Sequence, residues 1–123
     1  MGQLLRQNLS MSIESIQKEL ADFAKERDWN QFHSIRNLTL ALVGEVGELA
    51  EVLQWEGEID LDYFANSPEK AKAFNEEMAD VFLYLLRLAD IAGIDIEKEA
   101  SLKMLSNAKK YPISESYGNS TKR

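Results

Sequence analysis

Apolar residues recur at spacings of three and four along most of the chain, the spacing that places them on one face of an α-helix. Alternation of apolar and polar residues, which would indicate half-buried strands, is nearly absent. A first helix is predicted from Ser12, a suitable cap residue, towards Trp29. Its apolar face consists of Ile13, Ile16, Leu20, Phe23 and Ala24. The pattern therefore predicts an all-α fold.

Three further helices follow from the same spacing and from the residues at their ends. They are predicted at about 34–55, 67–93 and 95–110. The third begins with the sequence SPE, in which a cap residue, a proline and an acid come in the order favoured at a helix start, and it ends at a glycine. We therefore expect one domain of four helices at 12–112, between a flexible extension at 1–11 and a flexible tail at 113–123.

Composition narrows the class of protein. The 123 residues suffice for one domain, and 14 basic against 21 acidic residues give a net charge of −7, which argues against a nucleic-acid polymer as partner. Small phosphorylated ligands remain open if a metal supplies positive charge. The chain has no cysteine, no signal-like apolar segment and no run long enough for a membrane span. We expect a cytoplasmic protein with no membrane partner.

Two carboxylates interrupt the apolar face of the second predicted helix. At about 100° per residue, Glu45 lies about 20° from Leu38, in the middle of a stripe of apolar residues. Glu48 lies one turn further on, at the edge of this stripe. Glu51 points almost the opposite way, so it is expected to be a solvated residue, as is Glu76 on the next helix. Support of the metal ligands is the lesser alternative for both.

The third predicted helix repeats this arrangement. Glu77 lies at the centre of an apolar stripe, and Asp80 lies about 60° to one side of it. This stripe consists of Ala73, Val81, Tyr84, Leu88 and Ile91. Glu76 points away from the stripe. The two helices thus carry the pairs Glu-x-x-Glu and Glu-x-x-Asp on their inward faces.

Buried carboxylates need positive charge, because an unpaired one loses several kcal/mol of hydration or becomes protonated. Arg87, near Asp80, is the obvious cation among few on these faces. A hard divalent cation such as Mg²⁺ meets the need better, since it prefers oxygen ligands and keeps positions for water and phosphate. A single acidic pair on a helix is usually solvated decoration, but two pairs on apolar stripes favour a metal site.

These motifs resemble a known family. The stretches ERDWNQFHSIRNLTLALVGEVGELAEVLQW and EEMADVFLYLLRLAD are similar to the MazG-type all-α nucleoside triphosphate pyrophosphohydrolases, in their small dCTP-pyrophosphatase branch. The resemblance covers roughly residues 12–112. It implies Mg²⁺-dependent hydrolysis of a (deoxy)nucleoside triphosphate to the monophosphate and pyrophosphate, in the cleaning of the nucleotide pool. It also implies a four-helix bundle-type domain that oligomerises through its long helices as a dimer or tetramer.

The resemblance also assigns roles to residues. Glu45, Glu48, Glu77 and Asp80 would be the metal ligands, and one of the glutamates, with Glu48 the first choice and Glu45 also a candidate, would be the catalytic base that activates water. The preferred nucleotide is left open by the sequence: it is dCTP, a modified pyrimidine triphosphate or a broader set.

Substrate contacts are predicted at seven further positions. Trp29 and Trp55 are candidates to stack on a base, although a tryptophan at a helix end is more often part of a core. His33 is a loop or capping residue, or a pocket contact as the resemblance suggests, and Tyr84 either packs or holds the sugar. The remaining three form one polar stripe of the fourth helix, either solvated or bound to phosphate and sugar: Lys103, Asn107 and Tyr111.

The outer faces of the second and third predicted helices are also apolar. The residues concerned are Leu40, Val43, Ala50, Phe82, Leu83 and Leu86. One short chain cannot cover every side of such helices, so a homo-oligomer is expected.

Three other functions compete with a hydrolase. A di-iron carboxylate bundle needs Glu-x-x-His pairs, and no histidine follows these glutamates at that spacing. A non-catalytic helical oligomer that binds a partner protein is the second alternative. A nucleotide-binding sensor with slow turnover is the third, and the sequence does not separate it from an efficient enzyme.

Overall fold

The computed structural model describes residues 11–122, and this part of the chain forms helices and no strand. The helices are α1 (Ile13–Glu26), α2 (Ile35–Leu53), α3 (Leu61–Ala65), α4 (Pro68–Ile91), α5 (Ile96–Lys110) and α6 (Ile113–Ser116). The predicted all-α fold is confirmed. Apart from Met11, the predicted N-terminal extension lies outside the described residues.

The predicted cap residues account for three of the helix starts. Ser12, Ser34 and Asp95 each accept a hydrogen bond from the backbone N–H three residues later, at 3.0–3.1 Å. Ser67 makes no such bond, although Pro68 begins α4 as expected. Ser67 occupies the predicted N-cap position, but its backbone (φ −134°, ψ 71°) differs from the extended conformation of Ser12 and Ser34, and its side chain does not cap the helix.

The end of α1 explains where Trp29 points. Asp28 has a positive φ of 55°, and its N–H donates to the carbonyl of Lys25, while the N–H of Trp29 donates back to the carbonyl of Ala24 at 2.8 Å. This pair of bonds is a Schellman motif, which stops the helix at Glu26, before the predicted end. The turn returns Trp29 to Phe23, with ring centroids 5.6 Å apart.

Helix α3 was not expected from the sequence. Asp60 accepts a hydrogen bond from the N–H of Tyr63 at 2.9 Å and so begins a helix of only five residues. So short a helix shows less than two turns of apolar periodicity, and Asp60 as a cap was the available signal.

Helix α4 runs antiparallel to α2 and also packs against α1. Lys70, near its start, donates to the carbonyl of Val52 near the end of α2, at 3.1 Å. Further along α4, the side chain of Gln17 on α1 donates to the carbonyl of Leu86 at 2.9 Å. These bonds lie on either side of the segment of α4 that carries Glu77 and Asp80.

Contact with α1 changes which face of α4 is buried. Buried apolar side chains among the described residues are Ala24, Leu38, Leu86 and Ala89. Leu86 was expected on the outer face of α4, and that prediction is wrong because α1 covers it. Ile91, expected on the inner face, is 38% exposed. For α2 the prediction is confirmed, since Leu38 is buried and Leu40 and Val43 are exposed.

The chain divides at Gly93 into two compact units. The first contains α1 to α4, and the second contains α5 and α6. Gly93 has a φ of 69°, a conformation that glycine adopts without strain, which ends the α4 segment as expected. No helix within residues 11–122 is long and apolar enough to cross a membrane. The predicted domain boundaries and the flexibility of the C-terminal tail, which includes α6, stay predictions.

Candidate metal centre

Carboxylates from α2 and α4 meet where the two helices cross. Glu45, Glu48 and Glu77 each offer an oxygen, and these oxygens all lie within 4.8 Å of one another. The spacing of three residues places Glu45 and Glu48 on successive turns of α2, and the antiparallel α4 brings Glu77 opposite them. The sequence therefore brings three of its four predicted metal ligands to one point.

Two oxygens in this group are buried and have no hydrogen-bond partner. They are Oε2 of Glu45 and Oε2 of Glu77. Burial raises the pKa of Glu45 to about 7, and the neighbouring Glu48, Asp80 and Glu77 add to this shift. The pKa of Glu77 is also raised, first by burial and then by the negative charges of Glu48 and Asp80. The cluster therefore lacks positive charge.

Asp80 stands slightly apart from the other three acids. It does not belong to the group whose oxygens lie within 4.8 Å of one another. It is half-buried one turn beyond Glu77, and it lines a neighbouring cavity. Its charge nevertheless raises the pKa of both Glu45 and Glu77, so it acts on the same cluster.

Two other acids of these helices, Glu51 and Glu76, behave as solvated residues. Glu51 is exposed on the far side of α2, as expected. Glu76 is also exposed. One of its carboxylate oxygens lies 3.9 Å from the ammonium group of Lys72, one turn earlier, and such an exposed ion pair contributes little to stability. The unusual carboxylates are therefore confined to the face where α2 meets α4.

The cluster fits a divalent cation. Its ligands are all carboxylate oxygens, which hard cations such as Mg²⁺ and Ca²⁺ prefer. A cation would also satisfy the two buried oxygens that lack a partner and offset the repulsion that raises the pKa values. Glu45, Glu48 and Glu77 can thus hold a metal ion between them.

A cavity of about 170 Å³ adjoins the cluster at Asp80. Three polar or aromatic residues on its wall were predicted to contact substrate: Trp29, His33 and Tyr84. Five apolar residues complete most of the wall: Leu20, Phe23, Ala24, Leu38 and Leu83. Such a cavity, apolar with a few polar groups, is typical of a site for a small organic ligand.

Arg87 lines the cavity as well, and the sequence identified it as a cation near Asp80 but not as a residue of the ligand site. It is 6% exposed, and its guanidinium donates to Nδ1 of His33 at 3.1 Å and to Oδ1 of Asn30 at 2.9 Å. It also lies 3.5 Å from a carboxylate oxygen of Asp90. Asp80, near which the sequence placed Arg87, lines the same cavity, while the carboxylate within ion-pair distance is that of Asp90. A single cation inside the apolar run LYLLRLAD was the signal.

Four predicted substrate contacts lie elsewhere. Trp55 follows the end of α2, is 87% exposed and does not line the cavity. Lys103 and Asn107 are exposed on α5, and Tyr111 follows the end of that helix. The last three belong to the second unit of the chain, so their contribution to the site stays a prediction.

Known proteins resemble this chain over most of its length. It is 44% identical over 111 residues to dCTP pyrophosphatase 1 of Rattus norvegicus, an alignment covering 90% of this chain and 65% of that protein. It is 46% identical over 101 residues to dCTP pyrophosphatase 1 of Homo sapiens, covering 82% of this chain and 59% of the human one. The chain thus spans about three fifths to two thirds of the length of these curated relatives.

A solved structure and a sequence family agree with these relatives. The crystal structure of a pyrophosphatase from Archaeoglobus fulgidus superposes with a TM-score of 0.73 at 34% identity, covering 84% of this chain and 94% of that one. The MazG-like family matches residues 40–123, which contain all four predicted metal ligands. The chain belongs to the MazG-like family.

Proposed function

We propose that this chain hydrolyses deoxynucleoside triphosphates, with dCTP or a related or modified pyrimidine nucleotide as the preferred substrate. The products are the monophosphate and pyrophosphate. The observation that carries this proposal is the meeting of Glu45, Glu48 and Glu77 beside a cavity lined by aromatic and apolar residues. The relatives named dCTP pyrophosphatase 1 support a cytosine nucleotide as substrate.

The metal in this proposal is Mg²⁺, held by Glu45, Glu48 and Glu77, with Asp80 as the fourth ligand. Mg²⁺ suits an all-oxygen site that also receives phosphate oxygens. When bound, it neutralises charge on the triphosphate and makes water a better nucleophile at neutral pH. A cation there would also offset the repulsion between the triphosphate and the grouped carboxylates of Glu45, Glu48 and Glu77.

The reaction is a displacement at the α-phosphorus. A water oxygen forms a bond to this phosphorus while the bond to the oxygen that bridges the α- and β-phosphates breaks, and pyrophosphate leaves with that oxygen. Glu48 accepts the proton of the attacking water. Its exposure favours it over the more buried Glu45 as the base, because Glu48 is open to solvent water while Glu45 is half-buried.

The nucleoside would occupy the neighbouring cavity. Trp29 and Tyr84 offer aromatic surface for the base and sugar, and His33 offers a polar contact. Trp55 is proposed as a second stacking residue. Lys103, Asn107 and Tyr111 are proposed to contact phosphate and sugar. We assign the activity to the cytoplasm, where it would remove unwanted triphosphates from the nucleotide pool.

We also propose that the protein is a homo-oligomer, as a dimer or a tetramer. The outer faces of α2 and α4 carry Leu40, Val43 and Phe82, which are 59%, 64% and 44% exposed in the single chain. Apolar residues grouped on one face in this way usually pack against another protein surface. In such an oligomer, Trp55 of one copy could stack on a base bound in the cavity of another copy.

Pyrophosphate release from a panel of canonical and modified triphosphates tests the proposed function. Each reaction is run with Mg²⁺ and again with an excess of chelator. We expect Mg²⁺-dependent release that is fastest with a cytosine deoxynucleotide. Folded protein that releases no pyrophosphate from any triphosphate in Mg²⁺ would contradict the proposal and favour a non-catalytic helical oligomer that binds a nucleotide or a partner protein.

A further inference from the structure

Arg87 connects α4 to the segment between α1 and α2. Its Nε donates to Nδ1 of His33, and its Nη2 donates to Oδ1 of Asn30. Its Nη1 lies 3.5 Å from the carboxylate of Asp90, one turn further along α4. With 6% exposure, this guanidinium is one of the most buried side chains of the first unit. Two of its three partners therefore lie on the segment that carries Trp29 and His33 into the cavity.

The bond to His33 determines which ring nitrogen carries the proton. A guanidinium donates hydrogen bonds and has no acceptor, so the nitrogen that faces it must present a lone pair. Nδ1 of His33 is therefore unprotonated, and the proton of the neutral ring lies on Nε2. Burial, followed by the positive charge of Arg87, lowers the pKa of His33, which also favours the neutral ring.

His33, a residue of the cavity wall, thus carries an N–H donor at Nε2. The ring lies edge-on to Trp29, with centroids 6.3 Å apart, and both residues line the cavity together with Arg87. No hydrogen bond joins Nε2 of His33 to another residue within 11–122. A polar N–H in a mostly apolar cavity is the kind of group that selects a ligand by one hydrogen bond.

We infer that Arg87 is a positioning residue that holds His33 as an Nε2–H donor, and that this donor binds an acceptor on the nucleobase. The second half of the inference rests on the proposed function. A pyrimidine base offers a carbonyl oxygen and, in cytosine, an unprotonated ring nitrogen, both of which accept hydrogen bonds. Nε2 of His33 cannot become an acceptor unless the ring loses its hydrogen bond to Arg87. The site therefore favours a base that presents an acceptor to His33 over one that presents a donor.

Nitrogen NMR on the nucleotide-free protein tests the first half. His33 is the single histidine of the chain, so the ring signals of ¹⁵N-labelled protein without a histidine tag belong to it alone. We expect the Nε2–H tautomer in the wild type and a mixture of both tautomers in Arg87→Met. Arg36→Met removes an exposed arginine of α2 as the matched control, and its spectrum should equal the wild type. An Nδ1–H ring in the wild type, or an unchanged tautomer in Arg87→Met, would overturn the role of Arg87.

Steady-state kinetics with dCTP test the second half. His33→Leu removes the donor at similar volume, and we expect KM to rise about tenfold with a smaller change in kcat, because an acceptor left without a partner weakens binding. His33→Gln retains an N–H donor and should recover part of the loss. A KM in His33→Leu equal to that of the wild type would overturn the contact with the base. Equal KM values in His33→Leu and His33→Gln, or a loss confined to kcat, would overturn it as well.

The two halves can fail separately. The tautomer is read from the wild-type protein itself, so it is decided even if Arg87→Met does not fold. If the wild type hydrolyses no triphosphate, the proposed function and the contact with the base both fall, while the spectrum still decides whether Arg87 sets the tautomer. If dCTP is hydrolysed but the ring carries its proton on Nδ1, the proposed function stands and the inference fails.

Discussion

Glu45 on α2 and Glu77 on α4 face each other with one buried carboxylate oxygen each that has no hydrogen-bond partner. Buried polar atoms in folded proteins are normally paired, so two unpaired oxygens at one point indicate a missing ligand. The raised pKa values of both residues have the same origin, since burial and like charge favour the protonated forms. A bound cation resolves both features.

Binding of Mg²⁺ is expected to weaken as the pH falls below about 7. Burial raises the pKa of Glu45 from 4.5 to about 7 in the metal-free protein, so below that pH a proton occupies a carboxylate that the cation needs. Calorimetric titration at about pH 6 should give an affinity roughly tenfold below that at about pH 8. Glu45→Gln should bind less tightly and lose most of this dependence on pH. Equal wild-type affinity at both pH values would contradict a cation site at Glu45.

The oligomeric state follows from the outer face of α2. We expect light scattering at micromolar concentration to give at least a dimer, because Leu40 and Val43 are more than half exposed in the single chain. Val43→Arg should shift the population towards the monomer by placing a charge on that face. Glu14→Arg adds the same side chain at an exposed position of α1 and should leave the mass unchanged. A monomeric wild type would contradict the proposed assembly.

Leu86 anchors α4 where α1 packs against it. The side chain is 1% exposed, and Leu86→Ala is expected to lower the free energy of unfolding by about 2–5 kcal/mol through lost burial and a residual cavity. Leu61→Ala, at a position 86% exposed on α3, should change it by less than about 0.5 kcal/mol. Urea denaturation of both variants at one protein concentration measures the difference. Similar losses in the two variants would show that Leu86 does not anchor the core.

The sequence predicted the four longest helices and the acidic cluster because both depend on local periodicity. Spacing at about 100° per residue placed Glu45 and Glu77 on inward faces without knowledge of the partner helix. The same reasoning failed for Leu86, because α4 packs against α1, α2 and α3, and a single inward face does not describe it. The hydrogen bonds of Arg87 were not predicted for a related reason: its partners His33 and Asn30 are more than 50 residues away in sequence.

The position of Trp29 was also beyond the reach of periodicity. The sequence extended the first helix to this residue, whereas the chain turns at Asp28 with a positive φ and brings Trp29 back to Phe23. Glycine or asparagine is the usual residue at such a turn, so aspartate gave only a weak signal. The turn matters for the site, because it makes Trp29 part of the cavity wall instead of a helical residue.

The most direct test of the catalytic site compares two glutamine variants of the same helix. Glu48→Gln alters the proposed base within the cluster, and Glu51→Gln makes the identical chemical change at an exposed position one turn away. With dCTP and Mg²⁺, we predict that kcat for pyrophosphate release falls at least about a hundredfold in Glu48→Gln and is unchanged in Glu51→Gln. Wild-type rates in a folded Glu48→Gln protein would contradict the assignment of this acidic cluster as the catalytic centre.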